Sequence, residues 1–281
     1  MSFGDKLRRA MRLARQSVRL LAGSPGLLVL PIASGAVLLL IIAAFAAPII
    51  ANPELRSLLD GDGADTEIAD YALTFAFYLV AFTAMNIFNT ALVHAILSRL
   101  DGGTASAAQG LRFAMTRLPQ IFMWSLLSAT VGVALRVMQD KAGALGGIVG
   151  GLAGLAWSVA TYFAVPVLAA QGTGPLETVS RSAAILRKTW GESLAANIGV
   201  GIIMVVPVLI LILAFAVAAV TLPAAALIGV GVVIGALFAL VLLVSSTLSV
   251  TVRTALYHYA VTDSTPPQFD KADFEQAFVK K

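Results

Sequence analysis

The chain has 281 residues, of which 59% are hydrophobic and 12% charged, and its mean hydropathy is +0.90. A soluble domain carries about a quarter charged residues, so this composition excludes a water-soluble protein and predicts an integral membrane protein. Cysteine is absent, which excludes disulfides, thiolate nucleophiles and cysteine-based metal sites.

Residues 2–22 have apolar side chains at spacings of three and four, with basic side chains between them. This pattern predicts a basic amphipathic helix on the inner leaflet. Its arginines are candidate ligands for anionic lipid headgroups: Arg8, Arg9, Arg12, Arg15 and Arg19. Nucleic acid is the other polyanion that such a face attracts, but the segment adjoins a membrane span. We therefore expect membrane lipids, and no nucleic acid, as its partner.

Charged residues divide the chain into five long charge-free intervals, at 20–53, 71–98, 118–135, 142–176 and 193–252. A spanning helix needs about 20 predominantly apolar residues. The last interval is long enough for two helices and contains a turn signal at Pro223. We predict an all-α polytopic membrane protein with six transmembrane helices, at 27–51, 71–98, 119–138, 147–170, 194–220 and 224–252. The chain then divides into an interfacial helix at 1–26, a transmembrane domain at 27–260 and a cytoplasmic tail at 261–281.

Lysine and arginine are distributed unevenly between the two sides that six spans define. One side, which includes both termini, carries 16 of these residues and the other carries 3. The positive-inside rule predicts that both termini lie in the cytoplasm, and we expect the protein in the cell inner (plasma) membrane. The outer side instead has a cluster of acids: Glu54, Asp60, Asp62, Asp65, Glu67 and Asp70.

The second span carries polar side chains on one face. Asn86, Asn89, Thr90 and His94 fall within an arc of roughly 140° at about 100° per residue. One interpretation is that they hydrogen-bond to neighbouring helices. The other is that they line a path for a substrate. One histidine with two amides is a poor ligand set, so we expect no metal and no cofactor there.

A basic segment precedes the third and the fifth spans as well as the first. Residues 106–117 end in Arg117, and residues 177–190 contain Arg187 near their end. Aligning these two arginines favours a threefold repeat in which each basic elbow helix is followed by a helical hairpin. Arg117 and Arg187 are then further candidate ligands for lipid headgroups.

The fourth span begins with a stripe of glycines that lets helix backbones approach closely. Gly147, Gly151 and Gly154 either pack this helix inside the bundle or form a homodimer or another membrane-protein interface. Pro166 and Pro207 lie inside the fourth and fifth spans and should kink them.

The sixth span ends near Arg253, which shares a helical face with Ser246, Ser249 and Tyr257. Arg253 either extends to the headgroups or pairs with the polar face of the second span. A headgroup phosphate bound by Arg253 together with the arginines of the elbow helices is the functional alternative.

Several segments together resemble an uncharacterised family of six-span bacterial and archaeal membrane proteins. They include Asn86-Ile-Phe-Asn89, Leu100-Asp-Gly-Gly-Thr104, residues 151–158 and 174–192, and Arg253-Thr-Ala-Leu-Tyr257. That family is in turn similar to Yip-type proteins and to the membrane domain of some glycerophosphodiester phosphodiesterases. The resemblance implies an association with membranes and lipids, and it implies no catalytic residues.

The spans contain no carboxylate between their ends, and their Ser and Thr residues have no neighbouring base. We therefore expect a non-enzymatic membrane protein that is lipid-associated or membrane-organising, including the role of an accessory subunit. The alternative is a permease for a lipid-like or small neutral solute, which the polar face of the second span and the prolines favour. An intramembrane enzyme is a third hypothesis.

Overall fold

The computed structural model describes residues 23–54, 56, 64–141, 143–190, 194–221 and 223–264. The predicted N-terminal elbow helix, with Arg8, Arg9, Arg12, Arg15 and Arg19, lies outside these residues, and so does most of the predicted tail. In the described part of the chain, every regular element is a helix. After a short 3₁₀ turn at Pro25–Leu28, the α-helices are α1 (Val29–Ala51), α2 (Ala64–Leu100), α3 (Ala107–Thr116), α4 (Leu118–Lys141), α5 (Gly143–Ala160), α6 (Ala164–Gln171), α7 (Pro175–Trp190), α8 (Leu194–Thr221) and α9 (Ala224–Thr262).

The protein is an all-α polytopic membrane protein. Among the described residues, five stretches are long and apolar enough to cross a membrane: Pro25–Ala51, Thr66–Leu100, Leu118–Lys141, Gly147–Gln171 and Gly229–Thr262. The remaining predicted span corresponds to α8, which has 28 residues and contains the apolar segment Pro207–Thr221. Each of the six predicted spans therefore coincides with helical structure.

The second helix begins earlier than the sequence predicts, at Ala64 rather than at residue 71. The additional turns carry Glu67 and Asp70, which form ion pairs with Lys141 and Arg136 at the end of α4. The predicted boundary is wrong because charged residues were assigned to a loop, whereas here they pair across two helices.

Three hydroxyl side chains dilute the apolar character of the third span, which nevertheless forms the regular helix α4. Ser125, Ser128 and Thr130 each donate a hydrogen bond to the carbonyl oxygen four residues earlier, at 2.8–2.9 Å. A hydroxyl that is satisfied in this way does not require water. It can therefore lie in a membrane helix.

The fourth span is not one helix, because a turn at residues 161–163 separates α5 from α6. Pro166 explains the break, since proline lacks an N–H donor and its ring clashes with the carbonyl four residues earlier. Pro166 instead lies in the first turn of α6, where proline is favoured. The Phe163 N–H near the break donates to Ser182 Oγ at 2.9 Å. Pro207, by contrast, lies inside α8 without interrupting it.

The last helix, α9, continues to Thr262, ten residues beyond the predicted end at residue 252. It passes Arg253 without a break, and Thr254, Leu256 and Tyr257 beyond it are buried. The helix ends where Asp263 adopts the left-handed conformation with φ of 53°. The charge at Arg253 therefore marks the edge of the apolar stretch and not the end of the helix.

The second elbow helix is α3, which folds back against α2. It begins with a capping box, in which Ser106 Oγ accepts from Gln109 N at 3.3 Å and Gln109 Oε1 accepts from Ser106 N at 2.8 Å. Gly110 faces α2, and a Cβ atom there would collide with the Ala91 carbonyl oxygen and lie 3.1 Å from the carbonyl carbon. The two backbones are therefore in direct contact.

The third elbow helix is α7, which begins with Pro175 and buries Thr178, Ser182 and Leu186 along one face. Thr178 Oγ1 donates to the Gly174 carbonyl oxygen at 2.8 Å. Two of the three buried side chains are thus hydroxyls, and the leucine lies one turn beyond them. Both α3 and α7 precede a hairpin of spans, as the proposed repeat predicts, and the first elbow helix lies outside the described residues.

The buried apolar residues cluster at one end of the bundle. They come from the start of α1, the end of α2, the start of α4, α6 and the end of α9, and include Leu30, Ile96, Ile121, Val167 and Leu256. We call this the basic end, because it carries Arg99, Arg112, Arg117, Arg181 and Arg187. Toward the other end, here called the opposite end, large apolar side chains such as Leu40 and Val220 are exposed. In a bilayer these side chains contact lipid.

Replacing Gly110 by alanine should weaken the contact between α3 and α2. Because the Ala91 backbone must move, we expect Gly110→Ala to lower the free energy of unfolding by about 1–3 kcal/mol. Gly35→Ala in α1 is the matched control, since nothing lies within 4 Å of a Cβ there. We expect this control to be neutral or to gain up to about 1 kcal/mol from helix propensity. Denaturant unfolding in detergent micelles, followed by helical circular dichroism, compares the two, and equal effects would contradict the close packing of Gly110.

Candidate functional site

The polar face of α2 contacts several different elements. Asn86 Nδ2 donates to Ser125 Oγ of α4 at 3.1 Å. The His94 ring stacks on Phe113 of α3, with ring centroids 3.8 Å apart and planes at 6°. Thr90 is fully buried, and its Oγ1 has no hydrogen-bond partner among the described residues. The predicted polar face is therefore divided among neighbouring helices.

Asn89 lies toward the last helix and lines a small cavity with Arg253. The cavity has a volume of about 20 Å³ and is also lined by Val93, Val165, Pro166, Val250 and Thr254. A cavity needs roughly 10–15 Å³ to hold one water molecule. The space between the second and the last spans is thus large enough for about one water and too small for a lipid.

Arg253 is half-buried and packs against an aromatic ring. Its guanidinium carbon lies 4.7 Å from the centroid of the Tyr162 ring. Its Nε is buried and has no hydrogen-bond partner in the described part of the chain. Neither predicted alternative describes this environment fully, because Arg253 shares a cavity with Asn89 without an observed hydrogen bond to it and also stacks on the turn between α5 and α6.

Arg117, at the end of α3, is held in a similar way. Its guanidinium carbon lies 5.5 Å from the centroid of the Phe113 ring, and the guanidinium also packs against Gly172. Gly172 ends α6 in the left-handed conformation, with φ of 63°, and any Cβ atom there would collide with Arg117. Glycine is therefore required for both the turn and the close approach of the arginine. Arg187 is exposed on α7, so the three described headgroup candidates all lie at the basic end but differ in burial.

The structure adds a polar network at the basic end that sequence reasoning missed. Gln171 Nε2 donates to the Tyr257 hydroxyl at 2.9 Å, and Arg181 donates to Gln171 Oε1. Arg181 also pairs with Glu177 at 2.6 Å. These contacts join α6, α7 and the end of α9. The i, i+4 spacing of Glu177 and Arg181 was the part that the sequence could have revealed.

A second missed contact joins the last helix to the connection between α2 and α3. His258 Nε2 lies 2.9 Å from Asp101 Oδ1, and the His258 side chain is 9% exposed. The two residues are 157 positions apart. No local pattern in the sequence connects them.

At the opposite end, charged side chains of α2 and α4 form a further cluster. Arg136 bonds to Asp70 at 2.8 Å and to Thr74 Oγ1 at 2.6 Å, and its Nε lies 3.8 Å from Asp140. Lys141 pairs with Glu67 at 3.2 Å. The acids of the outer loop and the two cations at the end of the third span were visible in the sequence, and their complementary charge was the signal to pair them.

The glycine stripe of α5 faces in two directions. Gly150 and Gly154 face α4, where an added Cβ would meet Gln139 and Leu135. Gly147 and Gly151 have nothing within 4 Å of an added Cβ. Part of the stripe therefore packs inside the bundle. An interface with a second membrane protein remains a prediction for Gly147 and Gly151.

The chemistry available at these positions is that of binding groups. Arginines, amides and hydroxyls predominate, and hydroxyls such as those of Ser125, Thr251 and Thr254 donate to helix carbonyls. Among the residues that the structure describes, no three His, Asp or Glu side chains come together in a metal-binding arrangement.

Comparison with known families matches residues 68–266 to DUF6159, a family of unknown function. The match covers more than half of the chain. The protein belongs to the DUF6159 family. In this DUF6159 protein the match runs from the first turns of α2 past the end of α9, so the first span lies outside it. A comparison with curated proteins finds no match, and the similarities to Yip-type proteins and to phosphodiesterase membrane domains remain predictions.

The contact between Asn86 and Ser125 allows the role of the polar face to be tested. If Asn86 serves packing, a double-mutant cycle of Asn86→Ala and Ser125→Ala should give a coupling energy of about 0.6 kcal/mol, as for interhelical hydrogen bonds in membranes. The coupling energy is obtained from the free energies of unfolding of the DUF6159 protein and its variants in micelles. Asn89→Ala with Ser125→Ala is the matched control and should show no coupling. A coupling of zero in both cycles would exclude the packing role of Asn86.

Proposed function

We propose that this DUF6159 protein is a non-enzymatic integral membrane protein that binds anionic lipid headgroups at its basic end and helps to organise that leaflet. The proposal rests on the concentration of arginines around the buried apolar cluster at one end of the helices. Arg112 and Arg187 are exposed, whereas Arg117 and Arg253 are held against aromatic rings. An accessory role beside a partner membrane protein is part of the same proposal.

Apolar side chains lie beside the exposed arginines. Leu111 and Met115 of α3 are 36% and 51% exposed, and Leu176 of α7 is 74% exposed. A surface that combines exposed apolar and cationic side chains matches the interface between acyl chains and anionic headgroups. This combination supports a location of α3 and α7 at the membrane surface.

The division of the polar face of α2 among neighbouring elements supports binding at the surface over transport. A permease for a lipid-like or small neutral solute needs a continuous polar path, and the polar face of α2 is divided between contacts with α3 and α4 and a cavity of about 20 Å³ beside α6 and α9. The permease remains the second candidate, because Asn89 and Arg253 do share a cavity. Solute flux into proteoliposomes that is lost in Asn89→Leu would favour it.

The orientation and location follow from the sequence and belong to the same proposal. The excess of lysine and arginine on the side of the termini favours a cytoplasmic basic end in the cell inner membrane. The inner leaflet is where anionic lipids create a negative surface potential.

The test is the affinity of the full-length protein for phosphatidylglycerol, measured by the rise of its unfolding temperature as this lipid is added to neutral micelles. Arg112→Gln/Arg187→Gln should weaken binding by about fivefold for each arginine, because a basic residue near an anionic surface contributes about 1 kcal/mol. A second variant should lower the affinity for phosphatidylglycerol by more than this double variant does. It replaces four arginines of the predicted N-terminal helix by glutamine: Arg8, Arg9, Arg12 and Arg15.

Arg56→Gln is the matched control for the loss of one arginine, because it removes one positive charge from the opposite side without changing the cluster of Arg136 and Lys141. We expect this control to bind phosphatidylglycerol as the parent protein does. If all three variants retain the parent affinity, the proposed headgroup binding is wrong. If the control loses as much affinity as the arginine variants, net charge alone determines binding and the basic end has no specific role.

A further inference from the structure

A groove runs between α1 and α2 toward the opposite end of the bundle. It has a volume of about 380 Å³ and is open to the outside. Its walls are apolar and aromatic, and Arg136 of α4 lines it as its charged member: Ile42, Phe45, Ala46, Ile49, Leu73, Thr74, Phe77, Tyr78 and Arg136. The volume lies in the range of small-molecule binding sites.

The groove follows the helix axes over about two turns. Ile42 and Ile49 of α1 are seven residues apart, which corresponds to about 10 Å along a helix. Thr74 marks its polar limit, since its hydroxyl accepts a hydrogen bond from Arg136. Phe77 and Phe45, with ring centroids 5.5 Å apart, lie further toward the apolar middle of the spans. The groove therefore has one polar end and one apolar end, as does a phospholipid.

The charges at the polar end are of both signs and only half-buried. The Asp70, Asp140 and Glu67 side chains are 39%, 50% and 57% exposed, and those of Arg136 and Lys141 are 40% and 61% exposed. Three carboxylates and two cations leave this cluster with one net negative charge. Exposed atoms of each sign can thus meet a ligand that itself carries both signs.

We propose that this groove binds a phospholipid with a primary ammonium headgroup, such as phosphatidylethanolamine, from the leaflet at the opposite end. The acyl chain lies along the apolar walls, the phosphate faces Arg136 and Lys141, and the ammonium group donates to the exposed carboxylates. A primary ammonium has three N–H donors, which the quaternary ammonium of phosphatidylcholine lacks. An anionic headgroup would add negative charge to a cluster that already has a net negative charge.

This site is independent of the headgroup binding proposed for the basic end. It lies at the other end of the spans and takes a zwitterionic headgroup with a primary ammonium, whereas the basic end takes an anionic one. Its test therefore leaves the proposed function untouched, whichever way it comes out.

The experiment uses quenching of tryptophan fluorescence by phospholipids with brominated acyl chains. Phe77→Trp places the reporter in the groove, and Leu240→Trp places a matched reporter on α9 at a side chain that is 56% exposed. Both variants are reconstituted as full-length proteins in bilayers with brominated phosphatidylethanolamine, phosphatidylcholine or phosphatidylglycerol. The signal of the parent protein, from Trp124, Trp157 and Trp190, is subtracted.

At position 77 we expect brominated phosphatidylethanolamine to bind about threefold more strongly than either other lipid, because exposed ion pairs contribute modestly. At position 240 we expect a ratio of about 1, as for lipids that merely surround the protein. Ala46→Phe, which fills the groove, should bring the ratio at position 77 to the value at position 240.

A charge-changing variant tests the headgroup assignment. Glu67→Gln/Asp140→Asn gives the cluster one net positive charge, so position 77 should then prefer phosphatidylglycerol. The Leu240→Trp reporter in the same background shows whether the variant inserts normally. With the charge cluster unchanged, equal binding ratios for the Phe77→Trp and Leu240→Trp reporters would overturn the proposal. A preference of the Phe77→Trp reporter for phosphatidylcholine or phosphatidylglycerol in that background would overturn it too.

Discussion

Helices α2 and α3 approach through small residues, and the contacts at the basic end depend on this approach. Gly110 rests on the Ala91 backbone, and Ala114 of the same helix is fully buried. The position of α3 then brings Phe113 onto His94 and Arg117 onto Gly172.

The spans were predictable because charge and length determine them directly. A run of about 20 residues without charge has few alternatives to a membrane helix, and even α4 with its three hydroxyls follows this rule. The ends of the helices were harder to predict. Asp70 and Arg253 were taken as signs of a helix end, but Asp70 has an ion partner and Arg253 has an aromatic one. A partner far along the chain lowers the cost of placing the charge inside a helix.

The candidate site was predicted as a set of residues and not as a set of contacts. Helical periodicity shows which residues share the polar face of α2. It does not show which neighbouring helix each of them contacts, and the structure divides them among α3, α4, α6 and α9. His258 and Asp101 are 157 positions apart, so only the fold brings them together. The buried face of α7 was also unpredicted, because Thr178 packs inward by donating to the Gly174 carbonyl of its own helix and Ser182 by accepting from the Phe163 N–H, 19 residues away.

The length of α2 has a consequence for the physics of the whole bundle. Asp70, paired with Arg136, marks one membrane boundary, and the 21 residues from there to Ala91 extend about 32 Å. This distance already equals the thickness of the hydrocarbon layer, about 30 Å. An α2 that stands upright in the bilayer would therefore place Ala91 to Leu100, and with them part of the buried core, among headgroups and water. In that region burial of apolar surface is driven by water, at about 25 cal/mol per Å², whereas the remaining helical length is solvated by lipid. In that position the protein would join a small water-driven domain and a lipid-solvated bundle on the same continuous helices.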